Sequence, residues 1–487
     1  MLNNSLKAIS IKTVVLTIVS LTACASHANT SYKKVVVNLE ESSSKACLNI
    51  VNGNPTEVLD DIMAMSSQNA QVKSQIDLIN SSQYTLKSAK QYYVPKLVTS
   101  GSYAYYSVPT SEKILESGQY VITKTTPNYQ EGTPSITLNQ NILNLSQQSL
   151  ISSNFYQVKV QKYQTQSQAQ SNALSAAQLY VSLIQNYNTM LSIEKVVKSY
   201  KEQYEATFKL KKAGEASLVD LLSAKAQVEL YQQQVIQYKS AFVTSKANLQ
   251  TLLNGKICNI ESVAYLQFPS INAVPLQTSS SIQEAIKISP LINTYKSSIN
   301  SSQSLSQYYK RTYLPSFSIQ AGMSGTYELG DLAGTGNTNS EYYLSSSPYA
   351  QISFSWTIYD GGSNISLARS QVENAKSSQN LLTQSKIQLE NSIQSYQLND
   401  ELNVESLQKA SSQLKINEAL TKLVSIGYKA GYLTYLNFQV QAGTLYSSYL
   451  SLFSTKSTLL NNRLQYSSLM LFKDFDKTYK SLSQFLK

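Results

Sequence analysis

Between Gly132 and Gly255 this chain has a single glycine, Gly214, and between Pro134 and Pro269 it has no proline. So long a stretch without helix breakers predicts two long helices. The lone glycine, followed by Ser217, predicts a helix end and a fresh N-cap between them. A helix from about residue 144 to 210 would run roughly 100 Å at about 1.5 Å per residue. No globular core is that deep, and helices of this length belong to coiled coils and bundles. The same punctuation then recurs: Ala213-Gly214 returns as Ala430-Gly431, Ser217 as Thr434, and Asp220 as Asn437. The chain is therefore read as one architecture built from two halves, not as the two or three separate domains that 487 residues suggest.

The flanking patterns repeat too. A helix over 55–92, with Pro55 in its first turn, is stopped by Tyr93-Val94-Pro95. A strand over 97–108 and a polar loop holding Pro109 and Pro127 follow. In the next strand Ile136, Leu138 and Ile142 alternate with Ser135, Thr137, Asn139 and Asn141. The second half has a helix over 280–312 stopped by Tyr313-Leu314-Pro315. Its first strand carries Phe317, Ile319, Ala321 and Met323 on one face, and a loop over 328–347 leads to the second, with Ile352, Phe354, Trp356 and Ile358 on one face. Tyr359-Asp360-Gly361-Gly362 breaks that strand, a helix with heptad steps at Leu382, Leu389 and Tyr396 runs to about residue 425, and a last helix covers 433–472. Each half thus reads helix, strand, strand, long helix, turn, helix. The expected boundaries are a signal peptide over 1–23, a leader over 24–54, a first repeat over 55–255, a linker over 256–279, a second repeat over 280–472 and a tail over 473–487. Strands of about ten residues, apolar on one face and small-polar on the other, suit a membrane barrel with a wet lumen. Four strands cannot close a barrel. Oligomerisation is one remedy, and a small sandwich capping a helical stalk is the other reading.

The N-terminus supplies an address. Lys7 and Lys12 precede the apolar run Thr13–Cys24, a secretory signal too short to span a bilayer as a helix. Leu21-Thr22-Ala23-Cys24 has the form of a lipobox, in which Cys24 is acylated and becomes the first mature residue; the competing cut follows Ala28. No later segment is apolar enough for a spanning helix, so passage through a bilayer must be by strands. With Cys24 lipidated, Cys47 and Cys258 remain as a candidate disulfide in an oxidising compartment, the alternative being two unpaired buried thiols.

Several chemistries are excluded. The one histidine, His27, is removed by the cut after Ala28 and otherwise sits at the extreme mature N-terminus, so no histidine triad, histidine metal site or histidine general base is expected. No phosphate-cradling G-x-x-x-x-G-K-[ST] loop occurs, so no cofactor is expected, the chain is not read as an enzyme, and energy must come from a partner. Net charge is +11, but Lys and Arg are dispersed, only 14% of residues are charged, and no nucleic-acid recognition module is present. The 35 tyrosines are read as helix packing and, at Tyr103, Tyr105, Tyr106, Tyr342 and Tyr343, as an interfacial girdle.

The ordered set of Tyr93-Val94-Pro95, Tyr313-Leu314-Pro315, Tyr359-Asp360-Gly361-Gly362 and the paired turns at Gly214 and Gly431 resembles the TolC family of bacterial outer-membrane efflux and secretion channels. The likeness covers residues 55–472. It implies an α+β membrane protein: a homotrimer in which each chain gives four strands to a β-barrel, above a long α-helical coiled-coil tunnel through the periplasm. The implied partners are outer-membrane lipid, a periplasmic adaptor (membrane fusion) protein and an inner-membrane transporter of the RND, ABC or MFS class. The implied role is passive export of drugs or polypeptides in a tripartite efflux or type I secretion system. The turns bearing Gly214, Ser217, Asp220, Gly431, Thr434 and Asn437 would be the periplasmic tips that meet the adaptor. Asp220 and Tyr428 match a gate link in relatives; a solvated turn carboxylate is the plainer reading of Asp220. Where some relatives carry an acidic ring this chain has Val440, with Asn437 nearby, which implies weak cation selectivity. The rival class is a trimeric coiled-coil adhesive or structural surface protein without a pore.

Overall fold

The computed structural model describes residues 55–107, 110–116, 119–125, 128–255, 268, 282–330 and 341–470. The signal peptide, Cys24, Cys47 and Cys258, nearly all of the linker and the tail lie outside the described residues.

Helix α1 (Pro55–Ser66) and helix α2 (Ala70–Lys90) occupy the stretch expected to be one helix. The break has a local cause. Asn69 is buried, its side chain caps α2 by accepting from the Val72 amide at 3.0 Å, and Asn172 donates to the same oxygen at 3.1 Å. A short 3-10 turn (Gln91–Tyr93) then leads into β1 (Lys96–Ser107). The expected polar loop is instead a hairpin, β2 (Thr110–Glu116) and β3 (Gln119–Thr125), set between Pro109 and Pro127. Strand β4 (Asn128–Leu143) starts earlier than its alternation suggested. Next come α3 (Leu145–Lys212), with 68 residues, and α4 (Leu218–Leu252).

The second half follows with α5 (Ile282–Ile288) and α6 (Pro290–Arg311), split where one helix was expected because Pro290 cannot donate within a helix interior. Strands β5 (Ser316–Gly330) and β6 (Glu341–Ser355) precede α7 (Ser363–Lys429) and α8 (Tyr435–Met470). Strand β6 stops short of Trp356 and Ile358, which the alternation in sequence places within it. Its last pair is Ser316 with Ser355, and beyond that Pro315 leaves no ladder to continue.

The main sheet has the order β1-β4-β5-β6, all neighbours antiparallel. Its register sorts residues by face. One face carries the rows Leu97–Leu138–Ala321–Ala350 and Thr99–Ile136–Met323–Pro348; the other carries Lys96–Asn139–Gln320–Gln351 and Ser100–Ser135–Ser324–Ser347. Leu97, Ile136, Met323, Ile352 and Phe354 on the apolar face are all exposed. Strands β1 and β6 are the two edges, and among the described residues neither has a second partner.

Helices pack side by side beneath the sheet. Helix α3 lies against α2 and α6 along one part of its length and against α4 and α8 along another, while α7 packs on α6 and α8. The main core forms where Ala173, Ala176 and Ala177 let other elements close on α3. There Leu59, Ile62, Leu183, Ile184, Leu249, Leu460 and Leu464 are almost fully buried. Among the described residues no helix is long and apolar enough to cross a membrane.

Candidate functional site

The two turns that join the long helices are built on the same plan. Gly214 has φ +84° and Gly431 has φ +78°, the left-handed conformation that L side chains resist. Each closes its helix with a six-to-one hydrogen bond: Glu215 N–H to the Leu210 carbonyl at 2.9 Å, and Tyr432 N–H to the Gly427 carbonyl at 2.9 Å. The next helix is then capped. Ser217 Oγ accepts from the Asp220 amide at 3.0 Å while the Asp220 carboxylate accepts from the Ser217 amide at 3.2 Å, a reciprocal capping box. Thr434 and Asn437 repeat it, with Asn437 N–H to Thr434 Oγ1 at 3.4 Å and Thr434 N–H to Asn437 Oδ1 at 3.3 Å. The paired sequence positions are paired structural roles.

Within the single chain, Asp220 and Tyr428 each bond another partner. The Asp220 carboxylate is held by Ser217, whose hydroxyl also donates to it at 2.7 Å. The buried Tyr428 hydroxyl bonds Thr207 Oγ1 at 2.7 Å instead. That bond belongs to a set joining the first repeat to the second. The Tyr200 hydroxyl donates to the Gln439 carbonyl at 3.1 Å, and the Tyr446 hydroxyl donates to Gln234 Oε1. The rings form a continuous ladder: Tyr446 on Tyr231, Tyr231 stacked on Tyr200 at 4.8 Å, Tyr200 against Phe438, then Tyr435 and Tyr428. Sequence reasoning missed Thr207, Tyr200, Tyr435 and Tyr446. The seven-residue step from Tyr428 to Tyr435, and the placement of both beside a turn, was the available signal.

This aromatic core carries a cost. Two buried polar atoms, the Tyr435 hydroxyl and Gln203 Nε2, have no hydrogen-bond partner among the described residues. Each such group costs about 1–3 kcal/mol. Burial, the neighbouring Tyr428 hydroxyl and the Asp220 carboxylate push the Tyr435 hydroxyl far above the ordinary phenol range, so it stays neutral. The ion pairs Arg463–Asp400 and Lys376–Glu373 both lie within the second repeat, so neither joins the halves. The three tyrosine bonds between the repeats are between neutral groups.

Outward, the turns expose apolar side chains: Leu218, Val219 and Leu222 on one, Tyr432, Leu436 and Val440 on the other. The first is flanked by Lys209, Lys211 and Lys212, with Lys212 Nζ 4.6 Å over the Phe208 ring. The second has no acidic residue from Ala419 to Val440. Among the described residues, no group of three or more His, Cys, Asp or Glu gathers where it could hold a metal ion.

A duplicated helix–strand–strand–helix–turn–helix unit with an open, two-faced sheet defines a TolC-like outer-membrane channel fold. Residues 64–255 match the outer membrane efflux protein family. The fold aligns with CusC at a TM-score of 0.69 and 14% identity, covering 86% of this chain and 93% of that one. It aligns with VceC from Vibrio cholerae at 0.67 and 14% identity, over 85% and 97% of the two chains. For the CmeC channel of Campylobacter jejuni the values are 0.66 and 14%, over 88% and 90%. No curated protein matches the chain. The family match and the shared fold bear out the resemblance to the TolC family.

Proposed function

We propose that this chain is the exit duct of a tripartite efflux or type I secretion system, working as a homotrimer in the outer membrane of a Gram-negative cell. The observation that carries the reading is the sheet. It has one apolar exposed face, one small-polar face and, among the described residues, two edge strands without partners. A lone sheet of this kind would aggregate in water. Three copies joined β6 to β1 give twelve strands, remove every edge, and turn the polar rows toward a lumen. The boundaries of the two repeats, over 55–255 and 280–472, follow the same duplication. Export by the signal peptide, acylation at Cys24 and a Cys47–Cys258 disulfide complete the reading.

The exposed apolar turns around Gly214, Ser217, Asp220, Gly431, Thr434 and Asn437 are the surface for a periplasmic adaptor, which connects the duct to an inner-membrane transporter. The duct is passive, and adaptor binding opens it by favouring a second arrangement of the helices. The adhesive-stalk alternative leaves the duplicated capped turns and the two-faced sheet without a use. Susceptibility of a deletion strain to unrelated dyes, detergents and antibiotics tests the role. Broad sensitisation supports drug efflux, and loss of a secreted polypeptide supports secretion. Neither change, in a strain lacking any related channel, would refute both.

A further inference from the structure

The corner between β6 and α7 holds an exposed apolar run that the sheet does not use. Trp356 is 53% exposed, Ile358 75% and Tyr359 81%, and all three lie past the last strand pair. Val94 and Leu314, from the two Tyr-x-Pro corners, are exposed as well. The run is not loose. The Trp356 indole N–H donates to the Tyr313 carbonyl at 2.8 Å, and the Tyr313 hydroxyl donates to Asp360. Asp360 in turn accepts from the Gly362 and Asn364 amides, at 3.0 and 2.9 Å, at the start of α7. One tyrosine therefore fixes the tryptophan with its carbonyl and the first turn of a 67-residue helix with its hydroxyl. The indole's polar atom is satisfied inside the protein while its ring faces out.

The position along the sheet says what meets that ring. Tyr103, Gly132 and Tyr327 form a cross-strand row near one end of the apolar face. Phe317 and Phe354, with ring centroids 5.3 Å apart, form a row near the other. The ten-residue step from Phe317 to Tyr327 spans about 33 Å along a strand. At a tilt of about 40°, usual for a membrane barrel, that is about 25 Å of height, the thickness of the apolar band of such a barrel. Trp356 lies two residues beyond Phe354, at the lower edge of that band, where amphipathic aromatic rings settle among lipid headgroups. We propose that Trp356, with Ile358 and Tyr359, is a lipid anchor that seats the helix-proximal rim of the sheet in the periplasmic leaflet, held in place by Tyr313 and Asp360. This rests on the sheet being a membrane wall.

Trp356 is the only tryptophan in the chain, so its emission reports the site directly. The full-length protein is reconstituted in phosphatidylcholine vesicles carrying bromine high or low on the acyl chain, with acrylamide as the aqueous quencher. Shallow bromines should remove most of the emission and deep bromines much less. Trp356→Phe/Ile352→Trp moves the probe four residues up the exposed apolar face, and deep bromines should then quench more strongly. A native tryptophan that ignores both brominated lipids while the relocated one is quenched overturns the anchor and leaves the membrane wall standing. This holds whether acrylamide reaches Trp356, as in an aqueous site, or is excluded, as at a contact between copies. Both probes ignoring lipid would overturn the membrane wall itself.

Discussion

Helices α7 and α8 are held in register by a charge pair buried in their interface. Asp400 is 0% exposed and Arg463 3%, and two parallel bonds join them: Nε to Oδ1 at 2.9 Å and Nη2 to Oδ2 at 3.2 Å. Polar bonds flank the pair, from Asn462 Nδ2 to the Tyr396 carbonyl at 2.8 Å and from Gln397 Nε2 to the Tyr466 hydroxyl at 3.3 Å. Asp400→Asn takes the carboxylate away from a buried guanidinium, a change that costs about 3–5 kcal/mol. A chain with about 400 ordered residues has an unfolding entropy near 0.8 kcal/mol/K, so as one cooperative unit it should lose about 4–6 °C. Asp400→Leu with Arg463→Met removes both charges and fills the space with carbon, and it should recover most of that loss or exceed the parent. Helical circular dichroism against temperature, in detergent at one protein concentration and scan rate, measures both. A double variant as unstable as Asp400→Asn would refute the desolvation argument and leave the pair as a net source of stability.

The other predictions separate causes in the same way. Gly214→Ala and Gly431→Ala meet no atom within 4 Å of the new Cβ, so each should cost about 1–2 kcal/mol from backbone conformation alone, read from thermal unfolding. Gly322→Ala would bring Cβ to 2.7 Å from the Ile136 carbonyl oxygen and should destabilise the sheet; Gly101→Ala, with nothing nearer than 3.9 Å, should be tolerated, as thermal melting of the detergent-purified protein will show. The Tyr313 hydroxyl, followed by the Asn364 amide, holds the Asp360 carboxyl below its usual range. Its contribution is therefore present above the ordinary carboxylate pKa and lost as pH falls through the lowered one, so Asp360→Asn should lose less stability than the parent between about pH 5 and pH 2. The triple change Tyr200→Phe, Tyr428→Phe, Tyr446→Phe removes three tyrosine hydroxyl bonds between the repeats while keeping the rings, and amide exchange around the turns should rise with little change in total helix content.

The duplication made much of this fold legible, because its marks are local. A glycine in a left-handed turn, a serine or threonine three residues before an acid or amide, and a tyrosine two before a proline each act on their own neighbours. What depended on distant partners was hidden. Asn69 breaks a helix through its own cap and a bond from Asn172. Asp400 finds Arg463 across two helices. Trp356 kept the strand's alternation in sequence yet left the strand, because the ladder depends on where β5 begins. The β2–β3 hairpin was lost for another reason: its flanking prolines look the same around a loop or a turn. Tyr428 was expected to link to Asp220, and within the single chain its hydroxyl bonds Thr207. Asp220 has a nearer obligation to the Ser217 cap.

The account stands or falls on several copies of this chain closing their sheets around a pore. Planar-bilayer recording of the purified full-length assembly tests that most directly. Discrete, uniform conductance steps with only weak cation preference are predicted. Folded, lipid-inserted protein that passes no current even with its periplasmic adaptor bound would contradict a pore.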